Sequence, residues 1–223
     1  AQGKDGAYPD VAPRIVLLEN GAPGWGNAGV IVPWILYQAY GDRRILEESW
    51  DSMARWIAYV AKGNPNGLWR KRTAFQFGDW LSMGEVTPND LVATAFFAHD
   101  AELMARMARV LGKDDRKYLK LFRKIRKAFR RTFRLETQTA FALARRFGLA
   151  DAGIPDVTRL STGFLGVSHL LPALTEAGRL DLAYALWNRD DFPSWGYSIR
   201  HGATTIWERW DGWTKEKGFQ DPG

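Results

Sequence analysis

The sequence predicts an all-α protein built of helical hairpins. Three observations carry this: apolar residues recur at helical spacing over most of the chain, clear strand alternation is hard to find, and Gly- or Pro-marked turns separate the periodic stretches. Residues 28–40 read as a short apolar helix with Pro33 in its first turn. Asp42 caps a second helix, on which Leu46, Trp50, Met53, Ile57 and Val60 line one face. Asn64-Pro65-Asn66-Gly67 is a turn, and residues 69–86 read as an aromatic, Gly-interrupted loop. Thr87-Pro88-Asn89-Asp90 starts the next helix, with Thr87 as N-cap and Pro88 at N1, and that helix runs to about Leu111. Gly112-Lys113-Asp114 turns the chain into a basic helix, and a further helix over 137–147 is closed by Gly148. Phe164–Ala177 and Leu180–Asn188 form a pair separated by Gly178. Residues 189–213 read mostly as loop, with a short helix near Ala203–Trp207. The total is seven or eight helices, for which a toroid and a solenoid both fit. The long irregular segments, 16–27, 63–86 and 189–213, are where function is expected.

The chain has 223 residues and the ordinary composition of a globular protein, 46% hydrophobic and 25% charged. It has no Cys, which excludes disulfides, zinc–thiolate sites and thiol nucleophiles together. No signal peptide is visible, no apolar run approaches a membrane span, and the compartment stays open between cytoplasmic and secreted. The chain starts at Ala-Gln-Gly-Lys without Met and ends on Gln-Asp-Pro-Gly, so we expect a fragment. Of the 11 Trp, six lie between Trp25 and Trp80 and five between Trp187 and Trp213, as if two aromatic regions served one site or two cores. Residues 115–134 hold ten Lys/Arg against the single acid Asp115, a net of +9 in a chain of net +6, which leaves −3 elsewhere. Nucleic-acid binding is one reading of such a helix. The other is a solvated face, because Tyr118, Phe122, Ile125, Phe129 and Phe133 form a core stripe behind it. No nucleic-acid motif accompanies the charge, and we expect neither a nucleic-acid nor a membrane partner.

Residues 202–213, Gly-Ala-Thr-Thr-Ile-Trp-Glu-Arg-Trp-Asp-Gly-Trp, carry the chemistry. Indole faces pack on the C–H face of a sugar ring, and carboxylates perform the proton transfers of glycoside hydrolysis. The candidate carboxylates are Glu208, Asp211 and Asp79, the last in Gly78-Asp79-Trp80. One must act as acid and another as base or nucleophile, about 5 Å apart for retention and about 6.5–9.5 Å or more for inversion. The structural alternative for Glu208 is a salt bridge with Arg209 or another Arg. His99, His169 and His201 have no metal-ligand spacing, and we expect neither metal nor cofactor. His201 leads into the Glu208 segment. There is no Gly-x-Ser-x-Gly elbow, Walker A loop or dinucleotide fingerprint.

Six ordered motifs carry a family resemblance: Asp10-Val11-Ala12-Pro13, Pro23-Gly24-Trp25-Gly26-Asn27-Ala28-Gly29, Gly78-Asp79-Trp80-Leu81, Ser161-Thr162-Gly163-Phe164-Leu165-Gly166, Gly202-Ala203-Thr204-Thr205-Ile206-Trp207-Glu208 and Gly218-Phe219-Gln220-Asp221-Pro222-Gly223. Over its whole length the chain resembles the catalytic domain of bacterial α-L-rhamnosidases of glycoside hydrolase family 78. The resemblance implies an (α/α)6 toroid, here incomplete at about seven or eight of twelve helices, as one partial domain over 1–223 truncated at both ends. It implies inverting hydrolysis of terminal α-L-rhamnose from a rhamnoside, with Glu208 as general base. Trp25 and Trp80 match tryptophans that line the sugar pocket. Asp79, Asn27, Trp207 and His201 are assigned to substrate binding beside them. Two departures stand out. The family usually has Asp where this chain has Asn27, which keeps the shape and loses the charge. The family's general acid, a Glu in an Arg-Asp-Glu-Arg segment upstream of Asp-Val-Ala-Pro, is not in these 223 residues. Another (α/α)6 glycosidase, such as a glucosidase or glucuronyl hydrolase, and a non-catalytic helical scaffold binding through the basic helix are the alternatives.

Overall fold

The computed structural model describes residues 2–13 and 20–220, so residues 16–19 of the first irregular segment and Asp221-Pro222-Gly223 of the last motif lie outside the described residues. Among the described residues there are eight helices and one two-stranded ribbon: α1 (Ala28–Tyr40), α2 (Arg44–Gly63), α3 (Asn89–Val110), α4 (Arg116–Thr132), α5 (Gln138–Arg146), α6 (Phe164–Glu176), α7 (Leu180–Trp187), α8 (Trp195–Arg200), β1 (Trp213–Thr214) and β2 (Gly218–Phe219). Two compact units divide the chain, residues 1–78 with 88–134, and residues 79–87 with 135–223.

The first unit holds the hairpins α1–α2 and α3–α4, with α1 and α2 both packed on α3. Gly41 ends α1 in the left-handed region, where glycine is unstrained, and reverses the chain into α2. Pro33 sits in the second turn of α1 rather than the first; the one hydrogen bond it removes is close to the helix start, where the loss is small. Thr87 is not the cap of α3: Pro88 occupies that place, and the Thr87 hydroxyl pairs with that of Thr137 at 2.7 Å. α3 is buried on nearly every side, and its small residues let the neighbouring helices approach closely. Trp56 and Trp69 meet edge-to-face at 5.6 Å, and Trp69 meets Phe97 the same way at 6.2 Å. α4 buries Tyr118, Ile125 and Phe129 and turns Arg123, Lys124 and Lys127 outward, as an amphipathic helix must.

An ionisable group is fully sealed in this core. Asp100 of α3 is fully buried, and its Oδ2 accepts from Trp56 Nε1 at 2.8 Å and from Asn27 Nδ2 at 2.6 Å. Burial penalises the charged form more than these two donors favour it, and pushes the carboxyl up to about 8.

The second unit holds α5 packed on α6, the hairpin α6–α7 turning at Gly178, and the 189–220 segment. Thr137 caps α5 by accepting from Ala140 N at 3.1 Å. Gln138 clamps the following connection: its Nε2 donates to the carbonyls of Asp156 and Arg159, and its Oε1 accepts from Ser161 N at 3.0 Å. The short helix expected near Ala203–Trp207 lies earlier, at α8, where Ser194 caps it by accepting from Tyr197 N at 3.0 Å. The chain after it is held by the antiparallel ribbon, with Trp213 opposite Phe219, rather than by helix. No described helix is long and apolar enough to cross a membrane.

Two outcomes follow from this packing. An unfolded Asp100 ionises near 4 while the folded one holds its proton to about 8, so the stabilisation is complete below pH ~4 and declines as pH rises through about 8. Asp100→Asn keeps an uncharged oxygen for both donors, so thermal melts from about pH 5 to 8 should lose this part of the slope, with the variant gaining on the native chain at the alkaline end. Separately, a Cβ on Gly163 would lie 2.2 Å from the Trp80 carbonyl oxygen and 2.5 Å from that of Asp79. Gly163→Ala should therefore lower the denaturation midpoint by an amount typical of overpacking, about 1–3 kcal/mol.

Candidate active site

The turn at residues 79–81 and the start of α6 contribute Leu81, Gly163 and Phe164 to a cleft in the second unit. Asp79 is 6% exposed, and its carboxylate receives four donors. Gly163 N (2.7 Å) and the Thr139 hydroxyl reach Oδ2, while Leu165 N (2.8 Å) and Gly166 N (2.9 Å) reach Oδ1. These include amides at the start of α6 that have no partner within the helix, and the carboxylate also complements the positive helix end. Phe164 N donates to the Trp80 carbonyl at 2.9 Å, tying the same two segments a second time. Leu81, at φ 59°, is held in the left-handed region, a strained conformation fixed by its surroundings.

The cleft measures about 450 Å³. Leu81 and Phe164, the indoles of Trp195, Trp207 and Trp210, and Glu208 are among the residues that line it. Trp195 and Trp210 meet edge-to-face at 5.3 Å, and Trp210 donates from Nε1 to the Thr162 carbonyl at 2.7 Å. Trp207 meets Phe219 of β2 edge-to-face at 5.9 Å. Such a concave surface, mostly apolar with few polar groups, suits a sugar ring better than a charged ligand.

Glu208 is exposed and has no hydrogen-bond or ion-pair partner among the described residues. The salt bridge with Arg209 is not formed; Arg209 pairs with Asp211 instead, at 2.6 and 3.0 Å. Hydrogen bonding from Arg209 holds the Asp211 carboxyl below the usual carboxylate range, the wrong direction for a proton donor.

The other expected site residues are distributed as follows. Trp207 shares the cleft with Glu208. Trp80, 39% exposed, contributes its backbone to the clamped turn. Asp79 lies behind the wall with its lone pairs already in use. His201 is exposed at the end of α8; its Nδ1 lies 2.8 Å from the Tyr197 carbonyl, and its ring rests on Trp213 at 4.4 Å, outside the cleft lining. In the first unit, Trp25 is half-buried and stacks on Phe77 at 4.4 Å. Asn27 is fully buried, accepting from Gly24 N at 2.7 Å while its amide donates to Asp100. The amide donates to the Asp100 oxygen without bringing a second ionisable carboxyl beside it. Trp195, Trp210 and Thr162 were not singled out as site residues from the sequence; the clustering of tryptophans between 187 and 213 was the available signal. Among the described residues, no group of three His, Asp or Glu side chains is placed to hold a metal ion.

Comparison with known proteins agrees with this architecture. Residues 1–222 match the model of the bacterial alpha-L-rhamnosidase six-hairpin glycosidase domain. An alpha-L-rhamnosidase of Streptomyces avermitilis is 46% identical over 100% of this chain and 23% of its own length. One from an Alteromonas species is 37% identical over 100% of this chain and 28% of its length. The crystal structure of the Streptomyces avermitilis enzyme complexed with L-rhamnose superposes with a TM-score of 0.90 at 45% identity, covering 100% of this chain and 23% of that one. The structure of the alpha-L-rhamnosidase from Dictyoglumus thermophilum gives a TM-score of 0.85 at 31% identity, over 94% of this chain and 27% of that one. The chain thus spans about a quarter of the length of the relatives it matches. With its helical hairpins, its tryptophan-lined cleft and a match across nearly its whole length, the chain belongs to the bacterial alpha-L-rhamnosidase six-hairpin glycosidase domain family, homologous to alpha-L-rhamnosidase glycoside hydrolases.

Proposed function

We propose that this chain supplies the base half of a site that hydrolyses terminal α-L-rhamnose from rhamnosides with inversion of configuration. The observation that carries the reading is Glu208: a carboxylate without an ion-pair partner among the described residues, in the lining of an aromatic cleft. A group engaged by Arg would be a poor acceptor, and Glu208 escapes that because Arg209 is engaged by Asp211. In this reading a water molecule bridges Glu208 and the anomeric carbon. As its oxygen attacks, Glu208 takes the proton, and the glycosidic bond breaks on the opposite face. The leaving oxygen receives its proton from a second carboxylic acid, the role the family gives to the Glu of the Arg-Asp-Glu-Arg segment.

Trp207 offers an indole face for the ring's apolar C–H surface, and in this reading the partly exposed Trp80 offers another. The Trp25 indole, backed by Phe77, has the exposure and support of a stacking platform. Asn27 and Asp79 support such residues from within, since both are buried with their polar atoms already bonded. His201 keeps an exposed ring available to a substrate's outer part. A rhamnose-containing glycoside is the expected substrate, in keeping with the L-rhamnose complex of the Streptomyces avermitilis relative.

Two measurements test this. The 223-residue chain alone, assayed on an aryl α-L-rhamnoside, should turn over about 10²–10⁴-fold more slowly than a protein that also carries the Arg-Asp-Glu-Arg segment. Equal turnover by the chain alone would remove the need for an outside acid. In the longer protein, Glu208→Gln should abolish measurable turnover while calorimetry still detects rhamnose and circular dichroism is unchanged. Loss of helicity in that variant would assign Glu208 a structural role instead.

A further inference from the structure

We infer that Asp79 is a positioning residue for the Glu208 segment, acting through the start of α6 and Trp210 rather than by touching substrate. The inference rests on the reading of Glu208 as the base. The connection is continuous and lies within the second unit. Asp79 fixes Gly163 N, Leu165 N and Gly166 N, which places the first turn of α6. Thr162, directly before Gly163, is thereby oriented with its carbonyl accepting from Trp210 Nε1 at 2.7 Å. Trp210 is two residues beyond Glu208 in the sequence, and both line the cleft. The 204–210 stretch has no helix or strand of its own, so this indole hydrogen bond is a principal tether on it.

The geometry excludes a direct role for Asp79. Both carboxylate oxygens are occupied by two donors each, and the residue is buried, so a sugar hydroxyl would have to displace a backbone amide. Buried amides resist this because losing the acceptor leaves them unpaired. The Thr139 hydroxyl completes the set from α5, and it offers a way to disturb the carboxylate without removing it. Gly166 seals the arrangement, since a Cβ there would lie 2.2 Å from Thr139 Oγ1.

The test is made on the full 223-residue chain, labelled with ¹⁵N and followed at its tryptophan indole signals. Thr139→Val removes one donor and leaves the acid in place; Asp79→Asn turns an amide N–H₂ toward backbone donors whichever way it lies. In Thr139→Val, exchange of the Trp210 indole proton should quicken about tenfold, the scale of one lost hydrogen bond. The Trp56 indole, bonded to Asp100 in the other unit, should stay unchanged as the internal reference. Thr139→Ser should restore slow exchange. Faster exchange confined to the amides of Gly163, Leu165 and Gly166, with the Trp210 indole unmoved in either variant, would overturn the inference. If Asp79→Asn unfolds, Thr139→Val and its serine counterpart still decide. In a protein with turnover, Thr139→Val should lower kcat about tenfold or more with KM held, because a displaced base costs rate rather than affinity. A raised KM at unchanged kcat would instead make Asp79 part of substrate binding. Failure of the Glu208 reading appears separately, as turnover surviving Glu208→Gln, and leaves the indole measurement intact.

Discussion

A carboxylate taken out of water must replace its lost solvent with hydrogen-bond donors. In the second unit the start of α6 offers a ready supply, because its first amides have no acceptor inside the helix. Asp79 and α6 therefore solve each other's problem, and much of the unit's architecture follows. The bond Asp79 makes to Gly163 N requires a position without a side chain, because the carbonyls of residues 79 and 80 pass directly over it. Glu85 and Gln138 guide the chain into that position: Glu85 Oε2 accepts from the Ser161 hydroxyl at 2.7 Å and from Gln138 N at 2.9 Å, and Gln138 holds Ser161 N. The cleft wall is a product of this polar framework as much as of apolar packing.

The two units treat their buried acids differently. Asp79 has four donors, all neutral, drawn from backbone and hydroxyl groups. Asp100 has two, an indole and an amide on a single oxygen, and burial prevails over them. Asn27 matters in that setting because it bonds in both directions, joining the Gly24–Trp25 turn to α3. The residue that departs from the family pattern is thus matched to the acid facing it.

Helices with long amphipathic patterns were legible in the sequence because one face of each is decided by burial: the stripe of α2 and the Tyr118–Ile125–Phe129 seam of α4 are examples. The Glu208 segment was legible because its residue types carry their own chemistry. The setting of Asp79 was not, since three of its partners lie 84, 86 and 87 residues away and are backbone amides, which nearly every residue type supplies. Asp100 had no distinguishing local signal, with His99 before it and Glu102 two residues on, and nothing local identified Asn27 as its partner. α8 was misplaced because a six-residue helix has no periodicity to speak of, and its position is set by the Ser194 cap. Thr87 showed the opposite failure: a strong local capping pattern gave way to a distant hydroxyl on Thr137.

The outward face of α4 has a consequence for the solution in which the protein is handled. Arg123 and Lys127, and Lys127 and Arg131, are like-charged neighbours one turn apart, and the helix contains no acid to separate them. Neighbours of this kind destabilise a helix by a few tenths of a kcal/mol per pair. Added electrolyte screens that repulsion over ~10 Å at 0.1 M. The helix is thus a segment that salt strengthens, in a molecule whose exposed ion pairs, such as Arg43–Glu47, are weakened by the same ions.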